Sequence, residues 1–399
     1  MRKLNPVDEV IKGALQALSS EGPPPVEEVP LEAAGGRYAA QSITSAFKLP
    51  PYPKSVVDGY AARADDLMPA SPSAPVRLRL LEGVVRPGPR TRLRVGPGEA
   101  ARIETGGYLP EGADVAVPVE DTVEEGGSVL VYRRFARWEN VSLPGEEYEE
   151  GVPILREGWR IDPVRLAALH LEGLESVKVY RLEAAILNVG DEVVGESAGF
   201  RPYTQLLVAR WLEEHGFTVA SVEFGPDDPD AIAGWLRSRG EWLRVVLGGT
   251  SMGGHDYTVR AIESLSPSFL AHGVTIQPGK TACIAVKEGL VLGLSGLPVA
   301  ALSDLELLLA PLLRGLGLEI PERRVVAARL ARRITVKMGI RGFARVKLYR
   351  GGDGLVAEPL MVGGSGSMKS LLEADGYVVV PEESEGFDEG EVVEVRLLR

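Results

Sequence analysis

The chain has 399 residues, of which 45% are hydrophobic and 25% charged, a balance typical of a soluble globular protein. A chain of this length is too long for one ordinary core and favours about two to three domains. The net charge of −12 argues against a nucleic-acid partner, which would need an extended basic face. It does not exclude a small anionic ligand in one cleft.

The sequence also lacks the marks of a membrane or exported protein. No apolar run approaches the roughly 20 residues that cross a bilayer. The stretch "MRKLNPVDEVIKGAL" has apolar residues at helical spacing and lacks the apolar region of a signal peptide. We therefore expect a cytoplasmic protein without a membrane partner.

Cys283 is the only cysteine, which excludes a disulfide framework and a thiolate metal cluster. Its neighbours in "TACIAVKEG" are apolar, so we expect a buried and unreactive thiol. The histidines show no metal-ligand spacing. His255 is of interest only because Asp256 follows it.

Helices and proline-rich segments alternate at the start of the chain. Residues 6 to 19 are predicted to form an amphipathic helix, because Pro6 suits a first turn and apolar residues recur at helical spacing. The prolines of "SSEGPPPVEEVP" impose an extended path after it. A second helical stretch, about 31 to 39, leads into "LPPYPKS".

From about residue 56 to 141 the pattern changes to short alternating strands. Runs such as "VRLRLLEGVV" have period-two alternation, and turn residues recur about every 8 to 12 positions, which predicts a small β-domain. The following segment shifts to loop and helix, where Asp162 suits an N-cap before Pro163.

From about residue 181 strands and helices alternate. "EAAILNVG", "TVASVEFG" and "LRVVLGG" are predicted strands separated by helices such as "TQLLVARWLEEHG", which indicates a parallel sheet covered on both faces. In such sheets a ligand binds outside the carboxyl ends of the strands. After Pro321 the alternation returns and predicts a second small β-domain or barrel.

Carboxylates follow three successive strands of this predicted sheet. Clustered carboxylates repel one another and favour a bound cation, and Mg²⁺ accepts carboxylate together with phosphate oxygens. The alternative is that these acids are solvated helix N-caps, since Asp is favoured there. The acids are Asp191 and Glu192, Asp227 and Asp228, and Asp256.

The stretch "VVLGGTSMGGHDYT", residues 245 to 258, joins one of these strands to a helix. Gly248, Gly249, Thr250 and Ser251 form a tight loop in this interpretation, and Asp256 lies near the start of the helix. Such a loop is either a cradle for a phosphate and a metal or an ordinary turn.

Three further positions have both a functional and an ordinary interpretation. Asp58 lies in "SVVDGYA", where Asp-Gly is also a common turn. Thr105 precedes two glycines after a strand, and such a loop can direct N–H groups at an anion. Lys280 follows a Pro-Gly turn and suits a phosphate partner, although most exposed lysines are only solvated. These patterns alone indicate an α/β domain that binds a phosphorylated compound, flanked by β-domains.

The ordered set of motifs resembles the MoeA/gephyrin family, the molybdopterin molybdenumtransferases of molybdenum cofactor biosynthesis. "LPPYPKSVVDGYAAR" is similar to the family's proline-rich lead into Ser-x-x-Asp-Gly-Tyr-Ala, and "RIETGGYLPEGADVAVPVEDT" to its Arg-Ile-x-Thr-Gly passage. "GDEVV", "GGTSMGGHDYT" and "PGK…GLSGLPVAA" follow in the family's order. "GGSGSMKSLLEADGYVVVPEES" resembles its C-terminal domain, so the likeness spans essentially the whole chain.

The resemblance implies a multidomain α/β plus β protein. Its central molybdopterin-binding parallel α/β domain, 181–320, is flanked by an inserted β-domain, 49–141, and a C-terminal β-barrel, 321–399. A discontinuous linker and dimerisation domain, 1–48 and 142–180, completes the subunit. A homodimer with a cleft built from both subunits is also implied.

Family members take adenylylated molybdopterin and molybdate, and release AMP and the metal-loaded cofactor with Mg²⁺ as helper. The resemblance therefore implies an enzyme that inserts molybdate or tungstate. It assigns catalytic roles to four acids, of which Asp227 and Asp256 are also the metal ligands, and substrate-binding roles to a larger set. The catalytic acids are Asp58, Glu192, Asp227 and Asp256; the substrate-binding residues are Thr105, Gly248, Gly249, Thr250, Ser251, Lys280, Pro298 and Ser370.

Several positions depart from the family's pattern. Gln277 stands where the family usually has the first lysine of Lys-Pro-Gly-Lys-Pro, and Ser295, Leu297 and Ala300 replace Pro, Asn and Ser. Losing a positive charge and two polar contacts weakens ligand binding. The departures leave open a preference for tungstate, or a paralogue that acts as a molybdopterin-binding or scaffold protein. A third possibility is another enzyme on the same α/β domain, against which the C-terminal β-domain and "VVDGYA" argue.

Overall fold

The structure, a computed structural model, describes residues 4–191, 202–250, 256–352, 354–360 and 364–399. The chain divides into two compact units. One unit is Ile43–Ile154, and the other combines Met1–Ser42 with Leu155–Arg399. The first is therefore inserted in the chain of the second.

The inserted unit is built on a six-stranded sheet. Its strands alternate as their sequences predict, with inward Leu78, Leu80 and Val129 packed in one core and charged side chains facing out. Most neighbours are antiparallel, but Val76–Val85 and Glu99–Ile103 run parallel. In sheet order the strands are Val115–Pro118, Gly59–Ala62, Glu99–Ile103, Val76–Val85, Ser128–Val131 and Thr122–Glu125.

Shorter elements complete this part of the chain. Lys54–Ser55 pairs with Val141–Ser142 in antiparallel register, which joins the two ends of the unit. The remaining short elements are the strands Ile43–Thr44 and Pro153–Leu155, the helix Ala64–Leu67 and the 3₁₀ turn Val119–Asp121.

The larger unit contains the predicted α/β sheet. Four neighbouring strands are parallel, and Cys283–Val286 joins the sheet in antiparallel orientation to both of its neighbours. The two central strands, Leu243–Leu247 and Leu290–Leu294, are buried at every residue, as a sheet covered on both faces requires. In sheet order the strands are Thr218–Gly225, Glu183–Val189, Leu243–Leu247, Leu290–Leu294, Cys283–Val286 and Phe269–His272.

Two helices of the larger unit begin after an aspartate that acts as the N-cap, one in the α/β domain and one upstream of it. Asp228 caps the helix Pro229–Arg237 by accepting the N–H groups of Asp230 and Ala231. Upstream, Asp162 caps the helix Pro163–Leu171 by accepting the N–H of Arg165 at 2.8 Å, which confirms that N-cap. The other helices of the domain are Thr204–Glu214, Tyr257–Glu263, Pro298–Asp304 and Ala310–Gly315.

The N-terminal segment packs on this sheet. The helix Val7–Glu21 buries Val7, Val10 and Leu18 in the same core as the central strands. Val26–Pro30 then pairs with Ser176–Tyr180 in antiparallel register.

A continuous helical run over 298–315 passes through the core and contains a π-turn at Leu305–Leu309. Glu306 on this turn is buried but fully engaged. Its carboxylate accepts hydrogen bonds from Trp211 Nε1 at 2.8 Å, from Tyr377 Oη at 2.7 Å and from the Arg323 guanidinium at 2.6 Å. Burial would raise the pKa of Glu306, but Arg323 and the two other donors lower it overall.

The C-terminal domain is a closed five-stranded β-barrel. The strand Arg341–Gly351 pairs with both Gly354–Pro359 and Gly376–Val380, which closes the ring. Ala344, Val346, Val378 and Val395 form part of its core. In ring order the strands are Arg341–Gly351, Gly354–Pro359, Val325–Leu330, Val392–Leu397 and Gly376–Val380.

Short elements extend the barrel. Ile276–Gln277 leaves the α/β domain and pairs in parallel with Arg341 and Gly342. The remaining elements are the pair Ile334–Thr335 with Gly386–Phe387 and the helix Met368–Glu373. Within the described ranges, no helix is both long and apolar enough to cross a membrane.

Candidate functional site

The four parallel strands end level with one another at one edge of the α/β sheet. Asn188 lies opposite Leu247, Leu247 lies opposite Leu294, and Val189 lies opposite Gly225. A pocket of about 370 Å³ lies beyond these ends, where ligands bind in sheets of this kind. It is lined by Asn188, Val189, Pro202, Tyr203, Thr204, Asp227, Gly248, Gly249, Gly296 and Leu297.

The turn after Leu243–Leu247 forms part of the pocket wall. Gly248 and Gly249 have φ angles of 98° and 60°, a backbone conformation that favours glycine. A side chain at Gly248 would place its Cβ 2.4 Å from the carbonyl oxygen of Val189. Thr258 fixes the turn by donating its hydroxyl to the carbonyl of Gly248 at 2.8 Å.

The N–H groups of this turn divide into two sets. Gly248 donates to the carbonyl of Leu294 at 2.9 Å, which holds the turn against the next strand. Within the described part of the chain, the N–H groups of Gly249 and Thr250 have no acceptor. The turn therefore has donors to offer to an anion.

Another part of the pocket wall is formed by polar side chains that lie outside the sequence motifs, Asn188 and Thr204. Asn188 is buried and donates to Gln205 Oε1 at 3.2 Å, and Gln205 donates to the carbonyl of Pro202 at 2.9 Å. Thr204 donates its hydroxyl to the carbonyl of Gly296 at 2.7 Å. An asparagine inside the apolar stretch "AILNV" was the signal available for this wall.

Two of the predicted acids at this edge have separate roles. Asp227 lines the pocket, and its backbone N–H donates to Asp191 Oδ1 at 3.3 Å. Asp228 instead caps a helix, so for this residue the alternative N-cap interpretation holds.

Asp256 differs from an ordinary cap. It precedes the helix Tyr257–Glu263, but its side chain makes no capping hydrogen bond and is only 8% exposed. Its Oδ1 atom is buried and has no partner among the residues that the structure describes. A buried carboxylate oxygen without a donor is costly, so it suits a cation or a ligand proton.

The turn that carries Lys280 lies next to the glycine turn. Thr281 Oγ1 lies 3.4 Å from Thr250 Oγ1, which links the two segments, and the Lys280 carbonyl accepts the N–H of Val274 at 3.1 Å. Gln277–Pro278 is a cis peptide, and Gly279 has a φ of 127°.

A buried acid supports this turn. A Cβ at Gly279 would meet Asp304 Oδ1 at 2.1 Å, so only glycine leaves room for that carboxyl group. Both carboxyl oxygens of Asp304 are buried without a partner among the described residues. Burial raises the pKa of Asp304 well above its usual range, which favours the neutral acid.

Pro298 and Ser370 lie where two domains of the larger unit meet. Pro298 is the first residue of the helix Pro298–Asp304, directly after Leu297 of the pocket wall. Val299 donates its N–H to the carbonyl of Ser365 at 3.0 Å. Ser370 is buried in the helix Met368–Glu373, and its hydroxyl donates to the carbonyl of Ser367 at 2.7 Å.

Asp58 and Thr105 form a pair within the inserted unit. Asp58 Oδ1 accepts the backbone N–H of Thr105 at 2.7 Å, and both residues are exposed. The Thr105 N–H and then its hydroxyl lower the pKa of Asp58, so this carboxylate is ionised.

Two predicted site residues, Glu192 and Ser251, lie outside the described residues, as does His255. Among the residues that are described, no group of three or more His, Cys, Asp or Glu side chains is arranged to hold a metal ion. Cys283 is buried, which confirms that prediction, and burial raises the pKa of its thiol to about 12.

The fold and the residues at the carboxyl edge of the sheet together define a class of protein. A doubly covered sheet with a glycine turn, N–H donors that have no acceptor among the described residues, and an acid at its carboxyl edge is typical of an α/β domain that binds an anionic compound. An inserted β-domain and a C-terminal barrel flank it.

Models of known protein families match nearly the whole chain. The MoeA N-terminal region (domain I and II) matches residues 6–173, the Probable molybdopterin binding domain matches 185–315, and the MoeA C-terminal region (domain IV) matches 327–398. The chain belongs to the MoeA family of molybdenum cofactor biosynthesis, as its motifs predicted.

Individual relatives agree with this assignment. The molybdopterin molybdenumtransferase of Synechococcus elongatus is 32% identical, with 94% of each chain covered. The protein of that name from Bacillus subtilis is 30% identical over 99% of this chain and 94% of its own. The crystal structure of the molybdopterin biosynthesis MoeA protein from Pyrococcus horikosii covers both chains fully, with 33% identity and a TM-score of 0.78. These relatives confirm the predicted enzyme class and the fold.

Proposed function

We propose that this chain inserts molybdate, or tungstate, into adenylylated molybdopterin and releases AMP, forming the molybdenum cofactor. The observation that carries the proposal is the pocket at the carboxyl edge of the sheet, where the Gly248–Thr250 turn has N–H donors without an acceptor among the described residues and Asp227 lines the same pocket. Curated relatives of that name, matched over nearly the whole chain, support it.

The glycine turn binds phosphate in this proposal. The N–H groups of Gly249 and Thr250 donate to phosphate oxygens, and the positive φ angles at the two glycines keep the turn free of side chains that would block the approach. Asn188 and Thr204 hold the opposite wall and orient the bound compound. Their hydrogen bonds to Gln205 and Gly296 fix that wall before the ligand arrives.

Mg²⁺ is part of the proposal, and Asp227 and Asp256 would hold it. The orphaned Oδ1 of Asp256 is a hard oxygen donor of the kind this ion prefers, so the residues fit. When bound, the ion offsets negative charge on the phosphate oxygens as the phosphoanhydride P–O bond breaks. Glu192 belongs to the same proposed set of acids.

Other residues act on the ligand directly or through the turn. The Lys280 ammonium offsets charge on a phosphate or the oxyanion, and Gly279 leaves room for the Asp304 carboxyl group behind this turn. Asp58 contributes an ionised carboxylate to catalysis, and Thr105 contributes a hydroxyl to substrate binding. The remaining predicted contacts are Ser251, Pro298 and Ser370.

The proposal includes a cytoplasmic homodimer. Sedimentation equilibrium tests the dimer, and a single monomeric species would remove that part of the proposal without touching the chemistry.

AMP release from adenylylated molybdopterin with Mg²⁺ is the decisive assay, run with molybdate, with tungstate and without either. Release that depends on the oxyanion is expected, and the better oxyanion identifies the metal. Absence of release under all three conditions would overturn the transferase.

A molybdopterin-binding or scaffold protein is the second candidate, favoured by one observation. Leu297 is an apolar residue, 45% exposed, in the pocket wall where a polar contact to the ligand is expected. Pterin binding without AMP release would support this candidate, and release would exclude it.

A further inference from the structure

A short extended segment of the inserted unit, Arg90–Arg94, presents arginines on one face. Arg90, Arg92 and Arg94 are exposed, and Thr91 and Leu93 between them are half-buried. Alternation of this kind puts every second side chain on the same side of an extended backbone. We call residues 90–94 the arginine segment.

The segment is anchored. Leu93 and Val95 pack into a hydrophobic cluster of the inserted unit, and Val95 donates its N–H to the carbonyl of Glu111 at 2.8 Å. The Leu93 N–H donates to Thr91 Oγ1 at 3.2 Å, and a Cβ at Gly112 would lie 2.3 Å from the carbonyl oxygen of Val95. The arginines therefore project from a fixed backbone.

Two of these arginines lack the partners that their neighbours have. Arg86 pairs with Glu104 at 3.1 Å, and Arg94 pairs with Glu111 at 3.1 Å. For Arg90 and Arg92, no carboxylate lies within ion-pair distance among the described residues. In a chain with a net charge of −12, two adjacent unneutralised guanidinium groups make a local positive site.

The arginine segment and Glu111 line a cavity of about 360 Å³. Since Glu111 already neutralises Arg94, the cavity carries the two positive charges of Arg90 and Arg92. The Arg90 guanidinium lies 4.7 Å from the centroid of the Tyr52 ring. Tyr52 in turn contacts Tyr108 edge-to-face at 5.5 Å, and this contact restrains Arg90.

We propose that this cavity is a binding site for a phosphate monoester dianion, with Arg90 and Arg92 as its ligands. A guanidinium group can donate two parallel hydrogen bonds to the oxygens of one phosphate. The two positive charges of Arg90 and Arg92 match the two negative charges of the dianion. The inference rests on the proposed function, because AMP, the product named there, carries this group. The site belongs to the inserted unit and uses none of the residues of the glycine turn.

The test reads the site locally. The protein is labelled with an arginine-selective glyoxal reagent in the presence of AMP, inorganic phosphate or adenosine, and labelling is read residue by residue by mass spectrometry. AMP is expected to protect Arg90 and Arg92 and to leave Arg134, an exposed arginine without an ion pair in the described part of the chain, fully labelled. Equal protection of Arg134, or protection by adenosine, would overturn the proposal.

The comparison of AMP with inorganic phosphate shows whether the site recognises the nucleotide or only the phosphate group. Protection by AMP at lower concentration than by inorganic phosphate identifies the nucleotide, and equal protection identifies the phosphate group alone as the ligand; both results support the site. Absence of protection by either anion would refute it.

Equilibrium binding with variants gives the second readout. The double variant Arg90→Ala/Arg92→Ala is expected to bind AMP at this site about tenfold more weakly or not at all, whereas Arg134→Ala binds as the unmodified protein does. Unchanged AMP binding in the double variant would contradict the proposal. Because neither readout needs turnover, failure of the AMP-release assay and failure of this site are distinguishable.

Discussion

Asp304 and Glu306 lie two residues apart on one buried helical run, yet their surroundings are opposite. Glu306 receives hydrogen bonds from Trp211, Tyr377 and Arg323, and the pKa of this acid is lowered. Asp304 has no partner among the described residues, and the pKa of this acid is raised by burial. Glu306 supports the packing of three segments, whereas Asp304 lies behind the Lys280 turn, which is next to the glycine turn.

The same contrast separates Glu306 from Asp256. A buried polar group without a partner lowers stability and is kept where another property requires it. The comparison therefore indicates a folding role for Glu306 and agrees with the proposed ligand-binding role of Asp256. Substitution at each position should affect one property and spare the other.

The largest expected effect is on stability, from Glu306→Gln. The change leaves the half-buried Arg323 guanidinium without its closest counter-charge, which costs about 3 kcal/mol of the free energy of unfolding. Chemical denaturation measures it. Glu322→Gln is the matched control, because that carboxylate lies 3.9 Å from Arg314 and its side chain is 81% exposed. Equal losses in the two variants would show that the network does not stabilise the fold.

Asp256→Asn is expected to act on turnover instead. Removing the carboxylate that would hold Mg²⁺ should lower AMP release about 100-fold at saturating Mg²⁺. The melting temperature should not fall, because the variant removes a buried carboxylate whose Oδ1 atom lacks a partner among the described residues. Asp230→Asn, at an exposed acid on the same side of the domain, is the control. Unchanged release in Asp256→Asn would remove this residue from the metal site.

Gly248→Ala tests whether the pocket depends on backbone geometry. A φ of 98° and a Cβ 2.4 Å from the Val189 carbonyl impose strain of about 1–3 kcal/mol and displace the turn. In the Arg90→Ala/Arg92→Ala background, where the second proposed AMP site is removed, we expect weaker AMP binding by calorimetry together with a lower melting temperature. Gly240→Ala, where an added Cβ has nothing within 4 Å, should change neither. Full AMP affinity in Gly248→Ala would mean that the turn does not bind the phosphate.

The smallest effect is the pH dependence of Asp304. Its raised pKa means that the folded protein keeps the acid protonated, whereas the unfolded chain ionises it above the ordinary value of 3.8. This contribution to stability is complete at low pH and is lost as pH rises towards the raised pKa. Asp304→Asn should therefore gain melting temperature over the original protein as the pH rises above 3.8 towards the raised pKa. Glu389→Gln, at an exposed acid, should show a constant difference, and a pH-independent gap at Asp304 would contradict the prediction.

Sequence patterns predicted the sheet and its edge because these depend on periodicity and on strand ends. "LRVVL" and "LVLGL" are buried throughout, as their composition indicated, and Asp227 follows its strand into the pocket. The antiparallel insertion of Cys283–Val286 was not predicted, since a short apolar run does not reveal its direction.

The side chains that furnish the pocket were harder to predict. Thr204 and Gln205 lie on a helix, and their burial against Gly296 and Asn188 depends on how that helix packs. Asp304 occurs in "ALSDLE", a sequence that does not show which face of the helix lies against Gly279. Asp228 shows the reverse error, because its position at a strand end reflects only the start of a helix.

The short strand Ile276–Gln277 has a consequence for how the larger unit melts. It pairs with Arg341 and Gly342 of the barrel, and Lys280 follows it within three residues on the way back to the α/β sheet. Val299 and Ser365 join the same two domains a second time. Opening either domain breaks hydrogen bonds that it shares with the other, so we expect the two to unfold together. Heat that loosens the barrel should then also disturb the turn carrying Lys280, and we expect the proposed ligand affinity and the barrel to be lost in one transition.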